Sequence, residues 1–414
     1  MANHTEQEKP KELIPYWVKI TIVFLLGWIA IYATRSVLNP VMGNIQEEFG
    51  LSAGQLGLIS SIFFIGYAGL NVPSGILGDK IGKKKVLVPG VIIFGIMAAV
   101  TGLMPSFGLF MIAWLLVGVF QGFYYGPQYG ISSEAIPKKH ITVGSAIINS
   151  GMAVGLSVGY FISSYTVGTL GMSWRAPFYI IAIPVVLIGL AMWWVIKDKP
   201  KTQVEKAAEN GGQKLKMSEL FTKNLVFAYI TIFCAIYAFF VVVTWIPYYL
   251  ENARGIAGTE VAVVASLVPW AAIPASIFFS WVADRMGKRR PVLLIMLPLS
   301  IIATVSIVAF DSMWVLYASL IAYGIFGKIS TNPVLVAVIA DNAPKHSLGT
   351  AFGLYNFFGM CGSILAPYIT GWLTDITGSL NAGFYFAAGL LVIGTISVLF
   401  IKEDNQPKVE AATN

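Results

Sequence analysis

Long apolar runs leave this chain very few ways to fold. Twelve of them recur along its 414 residues, with approximate cores at 17–40, 54–77, 86–104, 108–132, 143–165, 177–196, 224–250, 261–283, 291–310, 314–340, 349–373 and 382–401. Each is about 18 to 25 residues, the length at which a helix crosses the hydrocarbon core of a bilayer. Backbone groups in lipid find no water and must bond within their own segment, which a single run can do only as a helix. The expected fold is an all-α membrane protein of twelve transmembrane helices. Composition agrees: 57% of residues are hydrophobic and 11% charged, against about 25% charged in a soluble domain.

The placement of charge sets the expected orientation. Loops at 78–85, 133–142, 197–223, 284–290 and 341–348, with both tails and Lys19, hold 23 of the 27 Lys and Arg. Positive charge collects on the cytoplasmic side of membrane proteins, so both termini are expected there. The same asymmetry explains the net charge of +7 as a matter of topology, and no nucleic-acid partner is expected. The polar start lacks the layout of a cleaved signal peptide, so the first span is expected to act as its own insertion signal. Cys234 and Cys361 both fall within predicted spans, which indicates neither a disulfide framework nor a zinc site.

The two halves of the chain echo each other. GILGDKIGKKK at 75–85 matches SWVADRMGKRR at 280–290, setting Asp79 against Asp284. EAIPKKH at 134–140 matches DNAPKHS at 341–347, and Asn149 and Gly155 match Asn356 and Gly362 at an offset of 207. Parallel six-helix repeats with a binding site between them are a known transporter plan. The expected division is an N-terminal bundle (1–196), a flexible cytoplasmic linker (197–223) and a C-terminal bundle with a short cytoplasmic tail (224–414).

Two charges stand apart from this pattern. Arg35 and Lys328 are the only ones assigned to the interior of a span, and both are positive. Charge at bilayer depth is costly and faces a cavity or a partner. No acid is assigned to the same zone, so the expected partner is an anionic ligand. At helical spacing Arg35 shares a face with Tyr32 and Asn39, with Trp28 two turns back. Gln121, Tyr124, Tyr125 and Gln128 form a polar aromatic stripe. Tyr237, Trp245, Tyr248 and Tyr249 lie on the seventh span, Thr331 and Asn332 close to Lys328, and Asn149, Tyr355 and Asn356 on the fifth and eleventh. A carboxylate needs such a set: a planar guanidinium for two-point bonding, an ammonium as a second point charge, and amides or hydroxyls for the rest. Offset matching puts Lys328 opposite Gln121 and Arg35 opposite the neutral stretch near Val242, so each half supplies one cation from a non-equivalent helix.

The loop Gly75-x-x-x-Asp79-Lys80-x-Gly82-Lys83-Lys84, with its weaker copy Asp284-Arg285-x-Gly287-Lys288-Arg289, resembles the cytoplasmic signature of the major facilitator superfamily. The resemblance covers essentially the whole chain. It implies alternating access, a cavity lined by the first, fourth, seventh and tenth spans, and a gating role for Asp79, Gly82, Asp284 and Arg285. Within the superfamily, Tyr32-x-x-Arg35, Ser173-Trp174-Arg175, and the stretch from Ala343-Pro344-Lys345 through Gly349-Thr350-Ala351-x-Gly353 to Asp375-x-Thr377-Gly378 are most similar to the anion:cation symporters. Those carry sugar acids and other organic anions. Arg175 is read as structural, and Glu134 and Asp341 as gate or loop residues. Phe120-Gln121-Gly122 with Pro127 also resembles the organophosphate:phosphate exchangers, but the seventh span lacks the second arginine those use.

Thr34 and Gln121 stand where related symporters often carry acids, so the usual proton carriers are absent. Exchange, facilitated diffusion, and symport through the substrate or Lys328 remain, and exchange is preferred because an empty cavity with two unpaired cations resists reorientation. The expected activity is secondary transport of small carboxylates or sugar acids through a two-cation site in the cell membrane, by a monomer without cofactor. Organophosphate exchange is the alternative. A drug exporter of the same fold is disfavoured because a positive cavity repels cationic drugs. An enzyme is disfavoured because the chain has no metal cluster and no nucleophile–base pair.

Overall fold

The computed structural model describes residues 14–197, 217–344 and 348–403. Most of the expected linker, and the residues at Lys345, lie outside this set. The described chain is helical: α1 (Tyr16–Ser36), α2 (Met42–Phe49), α3 (Ala53–Ile81), α4 (Lys83–Leu103), α5 (Phe107–Gln121), α6 (Tyr125–Ala135), α7 (Ile141–Ser163), α8 (Ala176–Val195), α9 (Lys223–Arg254), α10 (Thr259–Met286), α11 (Arg290–Ala309), α12 (Met313–Phe326), α13 (Lys328–Asn342), α14 (Leu348–Thr377) and α15 (Asn381–Leu399). Eleven segments are long and apolar enough to cross a membrane, with α1–α2, α5–α6 and α12–α13 each counted as one. The 30-residue α14, outside those eleven, packs against α3 and α9 where the eleventh run was expected. Outward-facing apolar side chains such as Trp194, Trp314 and Ile277, exposed by 85%, 81% and 69%, would be untenable in water at this density and suit lipid.

Two of the expected spans are broken. The run at 108–132 is interrupted between Gln121 and Tyr125, and that at 314–340 turns at Gly327. Lys328 is therefore the first residue of α13 rather than the middle of a continuous helix. A hydroxyl absorbs a carbonyl freed at the second break. Ser330 Oγ donates to the Gly324 carbonyl (2.8 Å), while the Gly327 carbonyl accepts the Thr331 N–H that begins the next helix (3.0 Å). Broken backbone at this depth is tolerated only where it is satisfied internally or lines a cavity. A further difference is α2, a short helix in the stretch read as a connection between the first two spans.

The repeat seen in sequence is realised as repeated contacts. A Cβ at Gly155 would meet the Ile29 carbonyl oxygen at 2.6 Å, and one at Gly362 would meet that of Phe233 at 2.7 Å. Matching glycines thus let α7 cross α1 and α14 cross α9 at backbone distance. The loop after α3 turns at Gly82 with φ of 111°, and that after α10 at Gly287 with φ of 62°. Both lie in the left-handed region that favours glycine. These two loops mark the basic face of the molecule; the opposite end is called the far face.

The halves meet at the far face. Gly57 of α3 packs where a Cβ would lie 2.1 Å from the Pro367 carbonyl oxygen, and Gly371 of α14 stands likewise to that of Ala53. Ser61 Oγ donates to the Ile364 carbonyl at 2.6 Å, and Tyr248 Oη to Gln46 Oε1 at 2.7 Å. On the basic face, the described ion pairs Lys83–Glu134 and Arg289–Asp341 each stay within one half.

Candidate anion site between the halves

Arg35 sits in the last turn of α1, held by rings more than by charge. The faces of Tyr32, Phe63, Phe64 and Tyr67 lie 4.9, 5.3, 5.6 and 4.4 Å from its guanidinium carbon. Such contacts orient a cation without neutralising it. Its Nε donates to Gln121 Oε1 at 3.0 Å. Two donors are left over: Arg35 Nη2 and Gln121 Nε2 are buried and have no partner among the described residues. A buried donor without an acceptor is expensive, and a charged one more so.

The second cation lies against a ring of the cavity wall. Arg35 shares a pocket with Ser60, Phe63, Phe64, Trp114, Phe239, Phe240, Val243 and Thr244. Lys328 Nζ lies 5.6 Å from the centroid of the Phe239 ring. Among the described residues no carboxylate pairs with either cation, since the ion pairs involve Lys83, Arg175, Arg254 and Arg289. As the first residue of α13, Lys328 also stands at the positive end of a helix dipole. Arg35 in the cavity wall, and Lys328 behind Phe239 at a helix N-terminus, both make the local potential positive.

The other predicted residues divide in two. Tyr125 packs at a tilt against Tyr129 (4.8 Å between rings), whose hydroxyl reaches Asn149 Oδ1 at 3.4 Å. Tyr355 Oη donates to Asn332 Oδ1 at 3.1 Å, and Asn356, the next residue along α14, is half-buried. Trp28 contacts both Tyr125 and Tyr32, which joins the first of these pairs to the rings around Arg35. Tyr124 instead turns toward α1 and α8, donating to the Phe24 carbonyl at 3.1 Å and packing on Gly27 and Met192. Tyr248 is bonded to Gln46 in the far-face seam, with Trp245 against its ring. Of the expected gating residues, Asp284 accepts from Arg289 at 2.6 Å, Arg285 lies over the Trp281 ring, and Asp79 is exposed at the end of α3. Arg175 makes a two-point pair with Glu48, with Trp174 Nε1 donating to the same carboxylate; this pins α2 to the start of α8 and lies away from the cavity.

Sequence reasoning missed the contribution of α3. Phe63, Phe64 and Tyr67 supply three of the four rings around Arg35, and Ser60 lines the pocket. Their spacing places all four on adjoining faces of one helix, but nothing in it separates rings facing a cavity from rings facing lipid.

Known proteins supply the wider frame. The chain is 27% identical over 399 residues to a hexuronate transporter of Bacillus subtilis, covering 92% of this chain and 93% of that one. It is 26% identical to the cis,cis-muconate transport protein of Acinetobacter baylyi, covering 92% and 94%. Among solved structures, a bacterial homologue of the lysosomal transporter Spinster, inward-facing and occupied, superposes with a TM-score of 0.75 at 15% identity, covering 94% of this chain and 95% of that one. The model of the Major Facilitator Superfamily matches residues 24–257 and 230–414, and with the paired bundles and repeated glycine crossings described above, the chain belongs to that superfamily.

Proposed function

We propose that this protein carries small organic carboxylates across the cell membrane by alternating access, holding the anion between Arg35 and Lys328. One observation carries the reading: Arg35 and Gln121, bonded to each other, each keep a buried donor without a partner, Nη2 and Nε2, and no acid among the described residues pairs with either cation. A carboxylate on Arg35 and Gln121 satisfies both donors, and Lys328 supplies the second charge. Tyr32, Tyr125, Asn149, Asn332 and Asn356 meet the remaining polar groups, while Tyr124, Trp245 and Tyr248 act through packing. The relatives named above carry a hexuronate and a conjugated diacid, both carboxylates.

The bundles are assigned to 1–196 and 224–414, joined by a linker at 197–223, with both termini and the basic face in the cytoplasm. The seam at the far face then makes this the inward-open arrangement, and Asp79, Gly82, Asp284 and Arg285 lie at the gate that must close next. The unit is a monomer and performs no chemistry on its substrate. Exchange of one anion for another drives the cycle. Thr34 Oγ1 is bonded to the carbonyl of Ala30 in its own helix (2.8 Å) and Gln121 to Arg35, so neither position offers a proton carrier.

Reconstitution in liposomes tests this with a hexuronate and cis,cis-muconate as probes. Arg35→Gln and Lys328→Gln should each abolish uptake while the protein elutes and melts like the parent. Normal uptake by Lys328→Gln would remove the two-cation site. With the pH gradient collapsed, uptake should require anion inside the vesicle.

A further inference from the structure

A proline in α9 frees a carbonyl that the other half of the molecule then occupies. In a helix the carbonyl of Val243 would bond the N–H of residue 247, but that residue is Pro247, which has none. Two side chains from the N-terminal half fill the place. Asn39 Nδ2 donates to the Val243 carbonyl at 2.9 Å and Tyr160 Oη at 2.6 Å. The three residues are buried, at 6%, 1% and 4% exposure for Asn39, Tyr160 and Val243, and Asn39 lies beside Tyr160. This clasp is also a wall of the anion cavity, because Asn39, Val243 and Thr244 line it with Arg35 and Ser36.

The position makes it more than a helix contact. Asn39 begins the short turn that follows α1, one helical turn beyond Arg35, so a shift of the arginine is transmitted to the clasp over four residues. The clasp joins α7 and the end of α1 to α9, and these must separate for the far face to open. Separation leaves a buried amide, a phenol and a carbonyl without partners until water or substrate enters. We propose that Asn39, Tyr160 and the Val243 carbonyl freed by Pro247 form the gate above the anion site, and that they set how readily the far face opens. They are positioning residues for transport. This goes beyond the anion assignment and holds whatever carboxylate the site takes.

Hydrogen exchange of the full-length protein in nanodiscs, read by mass spectrometry without substrate, tests the gate. Tyr160→Phe keeps the ring and removes one donor. Exchange should rise about two- to tenfold, the equivalent of one buried hydrogen bond, in far-face segments 42–54, 248–258 and 371–381. It should fall in basic-face segments 81–86 and 286–292. Pro247→Ala gives the Val243 carbonyl an N–H of its own helix and should shift exchange in the same direction with Asn39 and Tyr160 intact. Because both variants act on one carbonyl, the double variant should add little to either. A uniform rise on both faces, an unchanged pattern in Pro247→Ala, or full additivity would each overturn the gate. The readout needs no transported anion, so it stands or falls apart from the Arg35 and Lys328 assignment.

Discussion

Arg35 and its neighbours Tyr32 and Gln121 were legible in the sequence and the three rings from α3 were not, for a physical reason. A guanidinium in a run of apolar residues is costly wherever it points, so the residue announces itself. Phe63 and Phe64 carry no such cost, since phenylalanine is as stable against lipid as against a cation. Only the fold separates them from the next residue, Ile65, which is 47% exposed. The cage nevertheless decides what Arg35 can do. Four ring faces and the bond to Gln121 fix the plane of the guanidinium, leaving Nη2 buried and without a partner. An ammonium keeps the charge but loses the plane and the fork. Arg35→Lys should therefore retain transport with a KM for carboxylate raised about tenfold or more, where Arg35→Gln abolishes it. Steady-state uptake against concentration separates the two, and a parental KM in Arg35→Lys would mean that geometry counts for nothing beyond the charge.

At the scale of helices, the pattern of apolar runs showed where the chain crosses the membrane but not where a crossing breaks. The breaks after Gln121 and at Gly327 lie in stretches that read as continuous, because hydropathy is blind to the Ser330 hydroxyl that takes up a carbonyl freed at the second one. They place Gln121 last in one helix and Lys328 first in another, the two positions matched by the internal repeat. Glycine spacing was legible in part. Gly151-x-x-x-Gly155-x-x-x-Gly159 runs along the face of α7 on α1, where added Cβ atoms would meet carbonyl oxygens at 2.7, 2.6 and 2.4 Å. Backbone cannot yield as a flexible side chain does, so Gly155→Val should cost about 1–3 kcal/mol through overpacking. Gly353 faces open space, and Gly353→Ala should leave stability near that of the parent. Melting in detergent followed by size-exclusion chromatography compares them. Equal melting of the two variants would mean that the crossing relaxes at no cost.

For the whole molecule, the repeat was legible as fixed offsets in sequence and returns as paired contacts: Gly155 with Gly362, and Lys83–Glu134 with Arg289–Asp341. What the repeat could not reveal is which face is shut, because both arrangements of the halves use the same sequence. The far-face seam answers it through Asp375. Its two carboxylate oxygens accept the N–H groups of Ala53 and Gly54 at 2.8 Å each, the first two of α3. Ser52 and Gln55 cap the same helix locally through a reciprocal pair of bonds, so the carboxylate reaches across from α14 to groups that no local side chain satisfies. Asp375 is exposed to solvent, which screens the interaction and keeps its effect modest. Asp375→Ala should raise exchange at the Ala53 and Gly54 amides and increase the far-face-open population about two- to fivefold. An anion arriving from that face then meets a binding-competent site more often, so its apparent KM for uptake should fall by a similar factor. Loss of amide protection with an unchanged KM would mean that the carboxylate only trims the end of α3 and that backbone contact at Gly57 and Gly371 holds the seam.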